Sequence, residues 1–267
     1  MLILIAESKT MLDDGQPIAP EVLARHTPAG EAGATLIMNH LAGMSQPELI
    51  AATGLSATLA ARLRQMIYEF PNKLLGMRAI EAYTGVVFKA LQANTLDDSA
   101  RSTLNRDVRI ISSLYGLLRP DDIIKPYRLD FTTKAAPGDT SLCAFGKKDV
   151  TINLVKTLKE SGQTEILNLL PADAAKCVDW KLVKRFCKVW KVDFVEMSDG
   201  GTTKTPTATR LKTARGRLLR AILSHGIRDV DSLRTFTDDN FLYQGTPAYP
   251  DHLQFLCQQD LYYCANR

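Results

Sequence analysis

One run constrains this chain more than any other: Arg109 to Asp130, R-I-I-S-S-L-Y-G-L-L-R-P-D-D-I-I-K-P-Y-R-L-D, where aliphatic residues, one glycine, two prolines and four cations crowd together. Val108, Ile111, Leu114, Tyr115 and Leu118 recur at three- and four-residue spacing, the period of one helix face. The spacing therefore predicts a helix, punctuated by Gly116 and Pro120. Pro120 followed by Asp121 and Asp122 reads as the entry to a second short helix, because proline fits a first turn and acids favour the positive end of the helix dipole. Pro126 stops that piece. What remains exposed is a basic rim of Arg109, Arg119, Lys125 and Arg128. Two readings follow. Either the cations are solvated on an αα-corner, or they flank a helix-hairpin-helix whose turn offers backbone N–H groups to a phosphate while nearby charge holds the strand. The second kind of contact positions a protein on the nucleic-acid backbone and does not read bases.

Around this run the chain alternates strand and helix patterns. Met1 to Ile5 is short, aliphatic and flanked by polar residues, the pattern of a buried strand whose end delivers Glu7, Ser8, Lys9 and Thr10 to the surface. Ser45 and Ser56 sit where helix caps belong, before Pro47-Glu48 and before the segment that runs to Phe70. That pair of helices has the look of a helix-turn-helix, and it is read as scaffold. Tyr83-Thr84-Gly85 forms a tight turn before another helix, and Asp97-Asp98 caps the helix that leads into the central run. Glu165 to Leu169 is a strand. Lys188 to Glu196 alternates cleanly, with Trp190, Val192, Phe194 and Glu196 on the buried face. Ser198 to Gly201 then turns the chain back for Thr203 to Thr209 to pair with it. In the helix from Leu211 to His225, Lys212, Arg215 and Arg220 face outward while Ala214, Leu218, Leu219 and Ile222 face inward. Gly216 inside that helix costs about 1 kcal/mol relative to alanine, so it has a reason: close packing against another backbone, or a phosphate-bearing ligand beside Arg215.

Four further runs join the central one in a resemblance. The segment L-Y-G-L-L-R-P-x-D-x-I-x-P-Y-R-L, the amino-terminal M-L-I-L-I-x-x-S-K-T, the Tyr83-Thr84-Gly85 turn, Asn168-Leu169 and the K-x-A-R-G-x-x-x-R run from Lys212 to Arg220 together resemble the YaaA peroxide-stress family. The resemblance implies one mixed α/β domain over residues 1–267, with a central sheet surrounded by helices, a helix-hairpin-helix and a basic cleft. It also implies protection of DNA from oxidative damage through non-specific backbone binding. Lys9 takes the position of the lysine in the family's S-P-A-K-T segment, which aims it at the cleft, although this chain has A-E-S-K-T and lacks the proline. Other departures fall at Pro171 and Ala174, where members continue N-L-A-S with an acid and an aromatic. Phe145 stands in a reduced F-W-G, and Asn240 replaces a glycine.

On these grounds the DNA- or phosphate-binding candidates are Lys9, Arg109, Gly116, Arg119, Lys125, Tyr127, Arg128, Lys212 and Arg215. The departures keep a second class of function open: an enzyme of specialised small-molecule metabolism acting on a nucleotide, nucleobase or amino-acid derivative in the same cleft, with Lys9, Tyr83, Lys212 and Arg215 as candidate catalytic groups. No nucleophile-base pair is evident, the four histidines fit no metal-ligand spacing, and neither G-x-G-x-x-G nor G-K-[ST] occurs, so no metal or cofactor is expected. A net charge of +4 permits nucleic-acid binding without demanding it, and the cations are concentrated between Lys176 and Arg220. The absence of a membrane-length apolar run or a signal-peptide pattern points to a cytoplasmic protein. Cys143, Cys177, Cys187, Cys257 and Cys264 form an odd set without C-x-x-C spacing, expected to be reduced thiols rather than a disulfide framework or a zinc site.

Overall fold

A computed structural model describes residues 1–13, 15–72, 75–198, 200–245 and 249–258. Its strands are β1 (Leu2–Ala6), β2 (Gln16–Pro17), β3 (Leu75–Arg78), β4 (Val108–Ser112), β5 (Gly116–Leu118), β6 (Ile123–Ile124), β7 (Glu165–Asn168), β8 (Lys188–Met197), β9 (Thr203–Lys204), β10 (Phe241–Tyr243) and β11 (His252–Cys257). The central sheet has the order β10-β11-β8-β7-β1-β4-β5, and β9 pairs with the far end of β8. From β11 to β4 the pairings are parallel, and β10 and β5 close the two edges antiparallel. All five residues of β1 are buried. A continuous aliphatic run is what a parallel strand covered on both faces requires. Ile3 and Ile5 point into one core with Ile37, Leu63, Phe88, Leu104 and Leu218. Those residues belong to the helices Glu31–Ala42, Ala57–Glu69, Val86–Leu91, Asp98–Asp107 and Ala208–Ser224. Leu2, Leu4 and Ala6 point into the opposite core with Val150 and Leu154 of the helix Leu142–Ser161. The mixed α/β architecture with helices around a central sheet is therefore as the sequence indicates.

The caps and the alternating strand also fall where expected. Ser56 accepts from Leu59 N (3.4 Å) and Asp97 from Ala100 N (2.8 Å); on β8, Trp190, Phe194 and Glu196 are buried, whereas Val192 is half-buried and Val189 of the other face is buried too. Gly216 serves packing. A Cβ there would lie 2.3 Å from Val87 O and 2.7 Å from Ala90 Cβ, so only glycine lets the helices Ala208–Ser224 and Val86–Leu91 approach this closely.

The Arg109–Asp130 run is different from its expected form. It is not a helix-hairpin-helix: Val108–Ser112 and Gly116–Leu118 are the two arms of a β-hairpin, followed by Ile123–Ile124 in a small sheet with β2 and β3. The reason is local. Ser112 Oγ accepts from Leu114 N (3.2 Å) and Tyr115 N (3.0 Å), a hydroxyl-closed turn that reverses the chain, and Gly116 adopts φ +72 as the second arm begins. Ile110, Ile111, Leu117 and Leu118 are all buried, so the run is apolar on both faces. For so short a segment that pattern fits a buried strand as well as a helix.

The cysteines give a second correction. Cys143 and Cys177 form a disulfide with Cα atoms 4.9 Å apart. Their sequence separation of 34 hides the pairing from any spacing rule. Cys264 lies outside the described residues. No helix among those residues is long and apolar enough to cross a membrane.

Candidate functional site

The chain leaves β1 toward β4 on one side, and leaves β7 toward β8 on the other. Between β1 and β7 the sheet thus has a topological switch point, and in open α/β sheets ligands bind in the crevice outside the carboxyl ends of such strands. A cavity of about 320 Å³ opens there, at the lower end of the size range of small-molecule sites. Its walls come from the end of β1 (Ile5 to Thr10), the chain after β7 (Leu169, Pro171, Asp173), the turn and helix start Gly85–Phe88, the pair Asp130 and Phe131, and Lys212 and Arg215 from one face of the helix Ala208–Ser224.

The charges are of both signs. Lys9 is exposed and pairs with Asp130 at 2.7 Å. Burial alone would raise the Asp130 carboxyl, but hydrogen bonds from Lys9 and Thr132 outweigh it and hold it down at about 2. Arg215 is half-buried, and that desolvation lowers its guanidinium, partly offset by Asp173. Lys212 is exposed three residues away on the same helix face. Apolar surface from Ile5, Val86, Val87, Phe88, Phe131 and Leu169 makes up the rest.

Glu7 is the residue that sequence reasoning left unassigned. Its Oε2 accepts from Ser113 N (2.8 Å) and from the Tyr127 hydroxyl. Tyr127 is in turn bonded to Tyr83 Oη (2.7 Å) and Ser112 Oγ (2.8 Å). With the Tyr127 proton committed to Glu7, the other two hydroxyls donate to Tyr127. Burial pushes Tyr83 and Tyr127 well above the ordinary phenol range, so both keep their protons. Glu7 Oε1 is shut off from solvent and has no partner. Burial raises the carboxyl from 4.5 to about 7, against the lowering effect of the hydrogen bonds from Tyr127 and Ser113. A buried acid that titrates near neutrality on the wall of a cavity can hold or release a proton there. The signal in the sequence was a lone acid directly after five aliphatic residues, at the position of the missing proline.

The structure divides the expected site. Lys9, Lys212 and Arg215 border the crevice, while Tyr83 and Tyr127 are buried in the network behind Glu7. Arg109, Gly116, Arg119 and Lys125 do not border it. Arg109 donates to the carbonyls of Asn105, Arg106 and Val108 at 2.7 to 3.3 Å. Lys125 donates to Phe70 O and stands 4.8 Å over its ring, and Arg128 donates to Lys9 O. Arg119 is exposed. Part of the basic excess after Lys176 is also engaged. Arg210 pairs with Glu196 (2.8 Å), Lys184 pairs with Asp251 (3.0 Å), and Arg220 bonds Leu91 O, Gln92 O and Thr95 Oγ1. Among the four departures, Pro171 borders the crevice, Ala174 lies in the core beside Leu2 and Leu4, Phe145 packs against the opposite core, and Asn240 is half-buried away from the crevice.

Fold and site together define a mixed α/β protein with a crevice at the switch point of its sheet. A sequence profile described as "Peroxide stress protein YaaA" matches residues 1–246. A UPF0246 protein of Parabacteroides distasonis is 32% identical over 259 residues, covering 96% of this chain and 99% of that protein. A UPF0246 protein of Hahella chejuensis is 30% identical, covering 97% and 100%. One of Rhizorhabdus wittichii is 31% identical, covering 91% and 94%. The chain belongs to the YaaA peroxide-stress family.

Proposed function

We propose that the protein serves peroxide-stress defence by binding a small anionic molecule in the crevice between β1 and β7. The observation that carries this reading is the convergence of two cations, Lys212 and Arg215, an apolar wall and the buried Glu7 carboxyl on one cavity. An anionic group pairs with Arg215 and Lys212, the body of the molecule packs on Val86, Phe88, Phe131 and Leu169, and Glu7 supplies a proton-exchanging group beside it. A nucleotide or amino-acid derivative has this character. Thermal-shift screening of nucleotides, nucleosides and anionic metabolites tests it. Anionic compounds should raise the melting temperature of the wild type and leave that of Arg215→Ala unchanged. A panel with no effect, or an effect that Arg215→Ala retains, would overturn the reading.

Non-specific binding of the DNA backbone is the second reading, favoured by one observation. The helices Gln46–Thr53 and Ala57–Glu69 are joined by the short turn Gly54-Leu55-Ser56, and the turn between two helices offers backbone N–H groups to a phosphate. Fluorescence anisotropy on duplex DNA over a salt series decides it. Each phosphate contact contributes a slope of about 0.9 in log affinity against log salt. A flat response, or no binding at low salt, would exclude this reading.

A further inference from the structure

The Cys143–Cys177 bond ties the first turn of the helix Leu142–Ser161 to the chain just after the short helix Ala172–Ala175. Cys143 is the second residue of its helix, and Ser141 caps that end by accepting from Ala144 N at 3.2 Å. Its side chain borders a surface cavity of about 380 Å³ together with Thr132, the ammonium groups of Lys147 and Lys176, and one opposing carboxylate, Asp173. Cys177 is buried behind it. A helix amino terminus and two ammonium groups both favour a thiolate over a thiol, and an accessible thiol with a second cysteine at bonding distance is the arrangement of a redox pair. Cys187 lies in the same apolar cluster as Cys177, but it has no cysteine at bonding distance, and burial pushes its thiol up to about 11.

We propose that Cys143 and Cys177 are a hydroperoxide-responsive dithiol, in which Cys143 meets the oxidant and Cys177 closes the bond. The Cys143 thiolate attacks one peroxide oxygen. The O–O bond breaks, the departing hydroxide takes a proton to become water, and Cys143 is left as a sulfenic acid. The Cys177 thiol then gives up its proton as its sulfur attacks Cys143 Sγ; the S–S bond forms, the S–O bond breaks, and the departing hydroxide takes that proton and leaves as a second water. Two thiols are oxidised to one disulfide, and one hydrogen peroxide is reduced to two waters. The bond fixes a wall of the crevice as well, because Phe131 and Asp173 border both cavities. The proposal does not depend on which molecule the crevice takes.

The test uses the full chain, reduced with dithiothreitol, freed of reductant and exposed to graded hydrogen peroxide. Remaining thiols are alkylated and the digested peptides are mapped by mass spectrometry. The Cys143–Cys177 peptide should form at least roughly tenfold faster than any oxidation at Cys187, as expected when one thiol is ionised and accessible and the other is inert. Cys177→Ser should accumulate a dimedone-reactive sulfenic acid at Cys143, and Cys143→Ser should leave Cys177 unreacted at the same dose. Failure of the reduced wild type to form the linked peptide, or equal oxidation of Cys187, would overturn the proposal without any variant having to fold. Cys177 oxidised as fast in Cys143→Ser as in the wild type would overturn the assigned order.

Discussion

Replacing Glu7 with glutamine should remove most of the pH dependence of stability between pH 4.5 and 7 that is specific to this carboxyl. Burial raises Glu7 from 4.5 to about 7 in the folded chain, so the folded state holds a proton that the unfolded state has already released. A raised acid adds stability that is complete below the unfolded value and is lost as pH rises through the folded value. Over the interval from 4.5 to about 7, at about 1.4 kcal/mol per pH unit, the loss is about 3 kcal/mol. Asp122, raised by burial to about 6, loses stability in the same direction. Asp130, held at about 2, changes only under acid conditions. Both are present in the variant and cancel in the comparison. Urea denaturation of wild type and Glu7→Gln at half-unit intervals from pH 4.5 to 8 isolates the effect. The stability difference between the two proteins should move in favour of glutamine by up to about 3 kcal/mol as pH rises, and then stay level above 7. The glutamine amide leaves an N–H where Oε1 has no partner, which offsets the curve but not its pH dependence. Parallel curves for the two proteins would refute a buried carboxyl titrating near neutrality, and with it the proton-exchanging role given to Glu7.

Gly216→Ala gains about 1 kcal/mol of helix propensity, but its Cβ meets Val87 O at 2.3 Å; a net loss of about 1 to 3 kcal/mol by thermal melting is expected, and a gain would show that the helices separate easily. Tyr127→Phe removes the hydroxyl shared by Glu7, Tyr83 and Ser112, and should cost about 1 to 3 kcal/mol for the buried partners left unpaired; equal stability would mean that water replaces it. Arg119→Ala, at an exposed side chain, should change stability by less than about 0.5 kcal/mol, and any DNA affinity or salt slope should persist in it because the run that carries it is a hairpin. Loss of binding in that variant would restore the central run as a nucleic-acid surface.

Strand β1 and the caps at Ser56 and Asp97 were legible because each depends on a local pattern: five aliphatic residues in a row, or an acceptor side chain before a periodic segment. The central run was not, because Ile110, Ile111, Leu117 and Leu118 are buried on both faces and period alone does not separate a short buried strand from a helix. Its deciding residue was Ser112, whose hydroxyl closes the turn through contacts that composition does not display. The site divided along the same line. Lys9, Lys212 and Arg215 could be placed because they stand at a strand end and on one helix face. Glu7 follows the same strand end, yet its chemistry depends on Tyr83, Ser112 and Tyr127, drawn from positions 76 to 120 residues away. Nothing local to β1 states that the carboxyl beside it will be buried. The same distance effect joins Cys143 to Cys177 and spends Arg109, Arg128 and Arg220 on backbone carbonyls. A cation in a sequence announces its charge, but only the folded chain determines whether a carbonyl has already claimed it. Arg215 and Lys212 are not spent in that way: they stand on the wall of the crevice beside an apolar lining and an acid that burial has brought close to neutrality.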